Sequence, residues 1–565
     1  MDITLDDRLD TLQQISQRKL VDILENVSGK KDLIIEPKLM KTLECFIGVT
    51  ALRRYGVDKI FKLEEGLKAS NTQRIFLVSG DLIACKRVLN QIHAEFSQNR
   101  GLSHHLLVVP RIPAALELLV EEEGLHELVK LRSLSWEFIR SDGNVLSLET
   151  RMYADLYYHR DTSLLPAIAK NLWSLHMIVG RPKVTLCLGK YSKIVLKMTE
   201  SMEEYFSSQN PASQCGCMIL MDRAHDLPSA LLTPVTYLGL MGEILEIKAG
   251  TAYSKGSQTK LNPKTDQVYG EVRDRHFSHV FPYLRDKAKL LKSEQEATQT
   301  MQLAEMKRYV ATRLSKVTEA KRQLGFHIAA CETIVGELGA AFEALQSVEK
   351  SILECRRRKE CLEYIETNID KHPLRSLRLL ALLSVVSDGV TQSEVKPIQT
   401  AYLHAHGYQN IPMFWKMEQA GLIAYRTDNV LQKLPKWSSE WATAAQRLKQ
   451  LPNHTKPLDL KSPTCSSYVF GGSYIPTIAQ LTRFILNQET DTKSLNYLHS
   501  LPDFTLTGQQ EAVQTGPVII CIVGGITYGE IAACRLIEQS TGSRFVFASD
   551  TIFTGNQLLE SIKNI

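Results

Sequence analysis

The sequence predicts an α/β protein in which a long helical segment interrupts the second of two α/β domains. Short apolar strand segments alternate with helical segments up to Asp222, a pattern typical of parallel sheets covered by helices on both faces. The same alternation returns near the C-terminus. Two strands on each side of the helical segment are too few for an independent sheet. We therefore expect the four strands to complete one sheet, with the helical segment inserted into that domain.

Residues 1–140 are predicted to form the first α/β domain. Apolar residues at helical spacing from Leu5 to Leu24 indicate an N-terminal helix, and residues 39–55 predict another. Pro113 is expected to begin a helix that Gly124 ends. Four apolar segments predict the strands: KDLIIE from Lys31, KIFKL from Lys59, RIFLVS from Arg74 and HLLVVP from His105.

The second α/β domain is predicted to be split between residues 141–245 and residues 478–565. Before the insertion, residues 164–179 and 191–206 predict helices, and strands begin at Lys183 and Cys217. After it, helices are predicted at 476–486 and 528–537, and strands begin at Val518 and Arg544.

The insertion is predicted to have two helical parts, residues 246–350 and residues 351–477. In the second part Pro373 is expected to begin a helix capped by Gly389, and another helix to end near Gly407. In the first part, apolar residues step by four and three as in a coiled coil; they are Leu324, Ile328, Cys331, Val335, Leu338, Phe342 and Leu345. This seam is either an exposed helix-binding surface or internal hairpin packing, and the latter is the more common use of such a pattern.

Composition favours an ordinary globular protein of the cytosol. Lys+Arg 67 against Asp+Glu 62 gives a net charge of +5, too small an excess to indicate a nucleic-acid-binding protein. The acidic start MDITLDDRLD lacks the apolar core of a secretory signal, and no stretch reaches the length of a membrane span. Cysteines within apolar runs predict reduced core residues; they are Cys85, Cys187, Cys331, Cys521 and Cys534.

One segment, VIICIVGGITYGEIAACRLIEQ from Val518, has the strand, glycine turn and helix of a dinucleotide site. The G-x-G-x-x-G fingerprint would need glycine at 524, 526 and 529, but Ile526 occupies the position where backbone must approach the pyrophosphate. Asp550 lies near where a ribose-binding acid would be. We favour a tight turn with close helix–strand packing, formed by Gly524 and Gly525.

Other charged segments have structural interpretations that outweigh the functional ones. DRAHD, residues 222–226, is either a metal or acid–base site around His225 or a charged loop that fixes the chain before the next helix, and we favour the loop. GKKD from Gly29 is a turn rather than a phosphate-binding loop. The basic run from Arg356 to Lys359 is either a site for acidic lipid or a partner, or a solvated helix face. We found no recognisable catalytic motif and predict a protein that is not an enzyme, without cofactor or metal.

The segment DRAHDLPSALLTPVTYLGLMGE resembles the signature of the SM (Sec/Munc-type) family of SNARE regulators. The matching residues are Asp222, Arg223, Asp226, Leu231, Leu232, Thr233, Tyr237, Gly239, Leu240 and Glu243. The sequence departs from the usual pattern at Pro228 and Gly242. Further segments resemble the class C vacuolar protein sorting branch, and GKKDL, the EEEG helix and HIAACE are most similar to its B-type paralogue; the others are VRDRHFSHVF, SLRLLALLS, SYVFGGSYIP and GGITYGEIAACRL.

The resemblance implies an arch-shaped fold with two parallel-sheet α/β domains and a mostly helical inserted domain. It implies that SNARE helices bind along the hairpin of the first inserted part, around Leu324, Ile328, Val335 and Leu338. It also implies that the second part docks a class C partner, for a B-type paralogue one of the VIPAR type. We expect Tyr408 and Ile411 to be anchors of that interface, although both could equally be core residues. Trp415 is expected to be core.

The predicted function is therefore promotion of vesicle docking and fusion in endosome-to-lysosome trafficking. It would act by holding SNARE helices side by side before they zipper. The protein would be cytoplasmic and would reach late endosome and lysosome membranes through its partners. Two alternatives remain: a structural tether subunit that binds its partner but no SNARE, and a nucleotide-binding enzyme that uses the Gly524 turn.

Overall fold

The computed structural model describes residues 4–64, 70–98, 101–206, 215–254, 256–298, 313–426, 439–453, 458–486, 492–508 and 516–564. Residues 299–312 and 427–438 of the predicted helical insertion lie outside these ranges. None of the helices described is both long enough and apolar enough to cross a membrane. The chain forms two compact units. The first comprises residues 1–140, 146–149 and 167–179, and the second comprises residues 141–145, 150–166 and 180–565.

The strands of the first unit form a parallel five-stranded sheet in the order β2-β1-β3-β4-β5. Their bounds are β1 Lys31–Ile35, β2 Val57–Lys62, β3 Gln73–Ser79, β4 Ser103–Val109 and β5 Val129–Ser133. Alternate residues of these strands enter two different apolar clusters. Ile75 and Leu77 lie in one, and Phe76 and Val78 lie in the other. Both faces of the sheet are therefore buried, as the continuous apolar runs predicted.

Helices lie on both faces of this sheet, and the first unit also contains most of the helix Leu165–Val179. The other helices of the unit are Leu5–Glu25, Met40–Glu44, Val49–Arg54, Leu82–Gln98 and Ala114–Glu122. The single helix predicted over residues 39–55 is wrong. The chain forms two short helices, and Gly48 begins the second with extended backbone angles. Phe46 and Ile47, between the two helices, are buried in the core, so packing rather than helical periodicity decides their conformation.

The GKKD segment bends at Gly29, before β1 begins at Lys31, as predicted. Gly29 has φ +81°, and the ammonium group of Lys31 donates to the carbonyl oxygens of Leu24 (2.7 Å) and Tyr55 (2.9 Å). Asp32 accepts hydrogen bonds from the backbone N–H groups of Ser70 and Asn71. These polar groups are therefore occupied by the chain itself and are not arranged to bind phosphate.

The second unit is built on the larger sheet, whose order is β13-β8-β9-β14-β15-β7-β6. The bounds are β6 Ile139–Asp142, β7 Val145–Ser147, β8 Pro182–Leu188, β9 Cys215–Asp222, β13 Phe504–Thr507, β14 Val518–Val523 and β15 Phe545–Ser549. β9 pairs in parallel with β14, which follows the insertion, so the prediction that strands from both sides of the insertion share one sheet is confirmed. β13 was not predicted and pairs antiparallel with β8.

The inserted region is not purely helical. A three-stranded antiparallel sheet, β10 Glu246–Lys248, β11 Thr251–Ser254 and β12 Ser257–Lys260, precedes its hairpin. Strands of three or four residues are too short to show a clear period of two, so apolar alternation did not predict them.

Helices account for most of the remaining second unit. The inserted region contains Gln267–Val272, Val280–Thr298, Leu314–Leu338, Ala341–Leu353, Arg358–Asn368, Pro373–Val386, Gln392–His406, Pro412–Gln419 and Glu440–Arg447. The helices packed around the larger sheet are Lys190–Phe206, Leu227–Leu231, Tyr237–Ile244, Thr477–Ile485, Thr492–Ser500, Tyr528–Thr541 and Gly555–Lys563. Short single turns of 3-10 or π geometry also occur, one in the first unit at Pro37–Leu39 and the others in the second unit at Asp155–His159, Arg223–Asp226, Phe277–His279, Tyr408–Asn410 and Ser466–Phe470.

The uninterrupted coiled-coil seam predicted from Leu324 to Leu345 is wrong. The helix that contains Leu324 ends at Leu338, and Gly339, with φ +57°, separates it from the helix Ala341–Leu353. The five cysteines predicted to be core residues are buried. Domain boundaries within the second unit, at 245, 350 and 477, stay predictions.

Candidate functional site

The signature segment begins at Asp222, the last residue of β9. Its carboxylate accepts hydrogen bonds from the backbone N–H groups of Tyr191 (2.8 Å) and Ser192 (2.6 Å) and from the Ser192 hydroxyl (2.6 Å). Gly189 lies against this carboxylate, and a Cβ there would be 2.3 Å from the Asp222 Cγ. Burial raises the pKa of Asp222 to about 6. Asp222 therefore caps the helix Lys190–Phe206.

Arg223 forms a completely buried ion pair with Glu530, which lies more than three hundred residues later in the chain. The two guanidinium nitrogens donate to the two carboxylate oxygens over 2.8 Å and 2.7 Å. Arg223 also donates to the carbonyl oxygens of Gly525 and Asp226. The pair thus joins the signature segment to the glycine turn.

Asp226 collects four hydrogen bonds inside the protein. It accepts from the N–H (3.1 Å) and hydroxyl (2.7 Å) of Ser229 and so caps the N-terminus of the helix Leu227–Leu231. It also accepts from the Tyr474 hydroxyl (2.7 Å) and the Thr477 N–H (2.7 Å). DRAHD therefore fixes the chain, as favoured from the sequence, although the carboxylate that pairs with its arginine is Glu530. Among the described residues, no group of three or more His, Cys, Asp or Glu could hold a metal ion.

The glycine turn is filled by the chain's own side chains. The N–H groups of Gly524 (2.8 Å) and Gly525 (2.9 Å) donate to Oδ1 of Asp550. Asp550 is buried, which raises its pKa to about 6. The ring of Phe553 lies against Gly525, and Ile526 is itself buried. The donors and the space that a pyrophosphate would need are both taken, which contradicts the nucleotide-binding alternative.

The acidic end of the signature lies in a second buried ionic cluster. Both carboxylate oxygens of Glu243 accept from Arg378 (3.0 and 2.8 Å), and Arg378 also donates to the Thr233 hydroxyl. Thr233 in turn donates through its N–H (3.1 Å) and hydroxyl (2.7 Å) to Glu349. The cluster ties the signature segment to two helices of the insertion. Tyr237, the remaining aromatic residue of the signature, is completely buried.

The predicted SNARE-facing residues divide into two groups. Leu324 and Leu338 are buried within the chain, whereas Ile328 is partly buried and Val335 is 57% exposed. The helix that carries them packs against Val280–Thr298, and Arg313, just before its first turn, pairs with Glu294. Leu324 and Leu338 therefore belong to internal packing, and the accessible part of this surface is centred on Val335.

Tyr408, Ile411 and Trp415 form one exposed stripe on the second part of the insertion. Tyr408 lies in the 3-10 turn Tyr408–Asn410, Ile411 follows that turn, and Trp415 lies in the helix Pro412–Gln419; 63%, 53% and 54% of their surfaces are exposed. The alternative that Tyr408 and Ile411 are core residues is wrong. The prediction that Trp415 is core is also wrong, because its ring rests edge-on against Tyr158 at the surface.

The basic run is not one solvated helix face. Arg357 has φ +49° and caps the helix Arg358–Asn368, and Arg358 makes a bidentate ion pair with Glu394 (2.6 and 2.7 Å). Arg356 and Arg357 point to solvent beside Glu354 and Glu360.

Sequence reasoning missed three residues that make buried polar contacts: Glu530, Arg378 and His327, whose ring contacts Tyr237 and Asp266. Each lies inside a segment that carried the family resemblance, GGITYGEIAACRL, SLRLLALLS and HIAACE respectively. Charged or polar residues within otherwise apolar motifs were the available signal, but partners more than fifty residues away cannot be assigned from one sequence.

Comparison with known proteins agrees with this arrangement. The profile of the Sec1 family matches residues 31–561. Vacuolar protein sorting-associated protein 33B of Rattus norvegicus is 27% identical, with 98% of this chain and 97% of the relative covered. The vacuolar protein-sorting-associated protein 33 homolog of Arabidopsis thaliana is also 27% identical, over 98% of this chain and 97% of its own.

Among solved structures, the Unc18–syntaxin 1 complex from Monosiga brevicollis has a TM-score of 0.61 at 15% identity and covers 99% of both chains. At that identity the likeness shows a shared fold. Because the family profile spans nearly the whole sequence, this chain belongs to the Sec1 family of non-enzymatic vesicle-trafficking factors, in its vacuolar protein sorting 33 branch.

Proposed function

We propose that this chain binds SNARE helices along the hairpin formed by Val280–Thr298 and Leu314–Leu338. The observation that carries the proposal is the exposure of large apolar side chains on both helices, namely Phe281, Leu290, Leu314 and Val335. Exposed apolar surface of this kind on an amphipathic helix pair suits a helical partner. The Monosiga Unc18 relative was solved with syntaxin 1, which supports the same class of ligand.

The proposed mechanism is templating. Separate SNARE segments lose conformational entropy when they become aligned helices, and that loss opposes assembly. A preformed hairpin that holds the segments side by side lowers the free energy needed for the alignment. This mechanism makes and breaks no covalent bond.

The exposed stripe Tyr408, Ile411 and Trp415 is the proposed docking site for a class C partner of the VIPAR type. Large aromatic and aliphatic side chains dominate the free energy of protein interfaces, and this stripe presents three of them. Through that partner we place the protein in the cytoplasm and on the surface of late endosomes and lysosomes, where it promotes docking and fusion. The absence of a membrane-crossing helix in the described part of the chain is consistent with attachment through partners.

One experiment tests both surfaces, with each variant as the control for the other. The chain is co-purified with a VIPAR-type partner and then titrated with a panel of endosomal Qa- and R-SNARE cytoplasmic segments. Tyr408→Asp should weaken partner binding at least about thirtyfold, because a central anchor contributes roughly 2 kcal/mol or more, and should leave SNARE binding unchanged. Val335→Arg should weaken SNARE binding and leave partner binding unchanged. Arginine is chosen because a positive charge near a helix C-terminus does not oppose the helix dipole.

The outcomes separate the parts of the proposal. Normal partner binding by folded Tyr408→Asp would remove this stripe as the docking site. A wild-type chain that binds the partner but no SNARE would favour the alternative of a structural tether subunit. A wild-type chain that binds no VIPAR-type partner would contradict the B-type assignment.

A further inference from the structure

A chain of buried hydrogen bonds ties the middle of the helix Leu314–Leu338 to two other helices. His327 is completely buried. Its Nδ1 lies 2.8 Å from the Tyr237 hydroxyl, and its Nε2 lies 3.1 Å from Oδ2 of Asp266. The other oxygen of Asp266 accepts from the Tyr269 N–H (2.8 Å) and so caps the helix Gln267–Val272. One imidazole therefore connects three helices.

The tautomer with its ring proton on Nε2 satisfies the side chains that contact the imidazole. Burial raises the pKa of Tyr237 well above its usual value, so the phenol keeps its proton and donates it to Nδ1. Nε2–H then donates to the Asp266 carboxylate. Three aromatic rings surround the imidazole, with centroids 5.7 Å (Tyr237), 6.1 Å (Tyr269) and 5.5 Å (Phe326) from its own. The ring is thus held in one orientation.

A second polar contact lies one helical turn earlier on the same face. Gln323 is buried, and its amide nitrogen donates to the carbonyl oxygen of Thr265 (2.8 Å), the residue before Asp266. Apolar packing is non-directional, whereas hydrogen bonds of defined length fix rotation about the helix axis and register along it. The contacts of Gln323 and His327, four residues apart, therefore define the rotation and the register of this helix.

A neighbouring, exposed face of the same helix presents the proposed SNARE contact. Val335 lies two turns after His327 and is exposed, and Ile328 follows His327 directly. Any rotation of the helix moves Val335 relative to the apolar residues on Val280–Thr298. The direction of the exposed face therefore depends on the buried contacts.

We propose that Tyr237, His327 and Asp266 are positioning residues that set the rotation and register of the helix Leu314–Leu338, and thereby the affinity of the hairpin for SNARE helices. Two segments of the family resemblance, the signature that contains Tyr237 and the motif HIAACE that begins at His327, meet in this contact. The consequence for affinity rests on the proposed function, whereas the positioning of the helix does not.

Hydrogen–deuterium exchange of the full-length chain tests the positioning. Tyr237→Phe removes the hydroxyl and keeps the ring, and His327→Phe removes both imidazole contacts. We expect exchange in residues 314–338 to rise about tenfold in each, since loss of a buried hydrogen bond weakens local closure. In the His327→Phe variant, the additional change Tyr237→Phe should not raise the exchange rate further, because the two residues act as one unit. Tyr153→Phe is the matched control; it removes an equally buried hydroxyl that donates to Ala420.

Unchanged exchange in residues 314–338, or single effects that simply add in the double variant, would overturn the proposal. The same proteins are titrated with the SNARE panel. The variant with the largest rise in exchange should show the largest loss of affinity for SNARE segments. Faster exchange with undiminished affinity would overturn the positioning role for binding. If the wild-type chain binds no SNARE, the proposed function fails, and the exchange data still decide whether these residues position the helix.

Discussion

Glu349 is a carboxyl group placed where its charge is unfavourable. Burial, with a smaller contribution from the nearby Glu243, raises its pKa to about 7 against the opposing effects of Arg378 and of hydrogen bonds from Thr233. Arg378 is already engaged by Glu243, and its nitrogen lies 3.8 Å from Glu349. One arginine thus faces two carboxylates, and a proton on Glu349 balances the cluster.

This residue should make stability depend on pH near neutrality. A carboxyl whose pKa is raised by folding contributes stability in full below its unfolded pKa, and this contribution is lost as the pH rises through about 7. Glu349→Gln should therefore gain about 1 kcal/mol relative to wild type between pH 6 and pH 8. The measurement is the free energy of unfolding by urea at both pH values. Glu343→Gln, an exposed position on the same helix, is the control and should show no such gain.

At the scale of elements, turns and caps decide more than periodicity does. The seam from Leu324 to Leu345 has the right spacing for one long helix, yet Gly339 ends the helix after Leu338. The glycine turn after β14 has the right order of elements for a nucleotide site, yet Asp550 and Phe553 fill it. In both cases one or two residues override a correct pattern.

Gly525 should be the least replaceable glycine of that turn. It has φ +99°, and a Cβ would lie 1.9 Å from the Phe553 ring. Gly525→Ala combines backbone strain with overpacking and should reduce the free energy of unfolding by about 3 kcal/mol or more. Gly542, at the other end of the following helix, has φ +70° with nothing within 4 Å of the added Cβ. Gly542→Ala should reduce the free energy of unfolding by only about 1 kcal/mol. Equal effects of Gly525→Ala and Gly542→Ala would contradict the packing argument.

At the scale of the whole molecule, buried ion pairs connect parts of the second unit that are far apart in sequence. Arg223 precedes the insertion and Glu530 follows it. Arg535 repeats this arrangement, since it pairs with Asp142 (2.8 Å) and with Asp274 (3.2 Å). These contacts hold together a sheet whose strands β9 and β14 are adjacent in space but separated by the entire insertion.

Breaking the Arg223–Glu530 pair should therefore destabilise the unit as a whole. Glu530→Gln keeps the shape but leaves a buried guanidinium without its counter-ion, and should reduce the free energy of unfolding by about 3 to 5 kcal/mol. The double variant Arg223→Met/Glu530→Met should recover at least half of that loss, because neither charge remains buried. Glu271→Gln, which breaks an exposed pair with Arg275, is the control and should change thermal unfolding little. A double variant less stable than Glu530→Gln would contradict this account.

Local pattern was sufficient to predict the two α/β regions, the strands β1–β4, β8, β9, β14 and β15, the sharing of one sheet across the insertion, and the family. These follow from apolar runs, capping residues and quoted motifs, all of which are properties of neighbouring residues in the chain. Only the tertiary structure decided which charged residues pair, which of Leu324, Ile328, Val335 and Leu338 face outward, and that Trp415 is exposed. Burial depends on what packs against a residue, and the packing partners here come from segments hundreds of residues apart, so no local pattern specifies them.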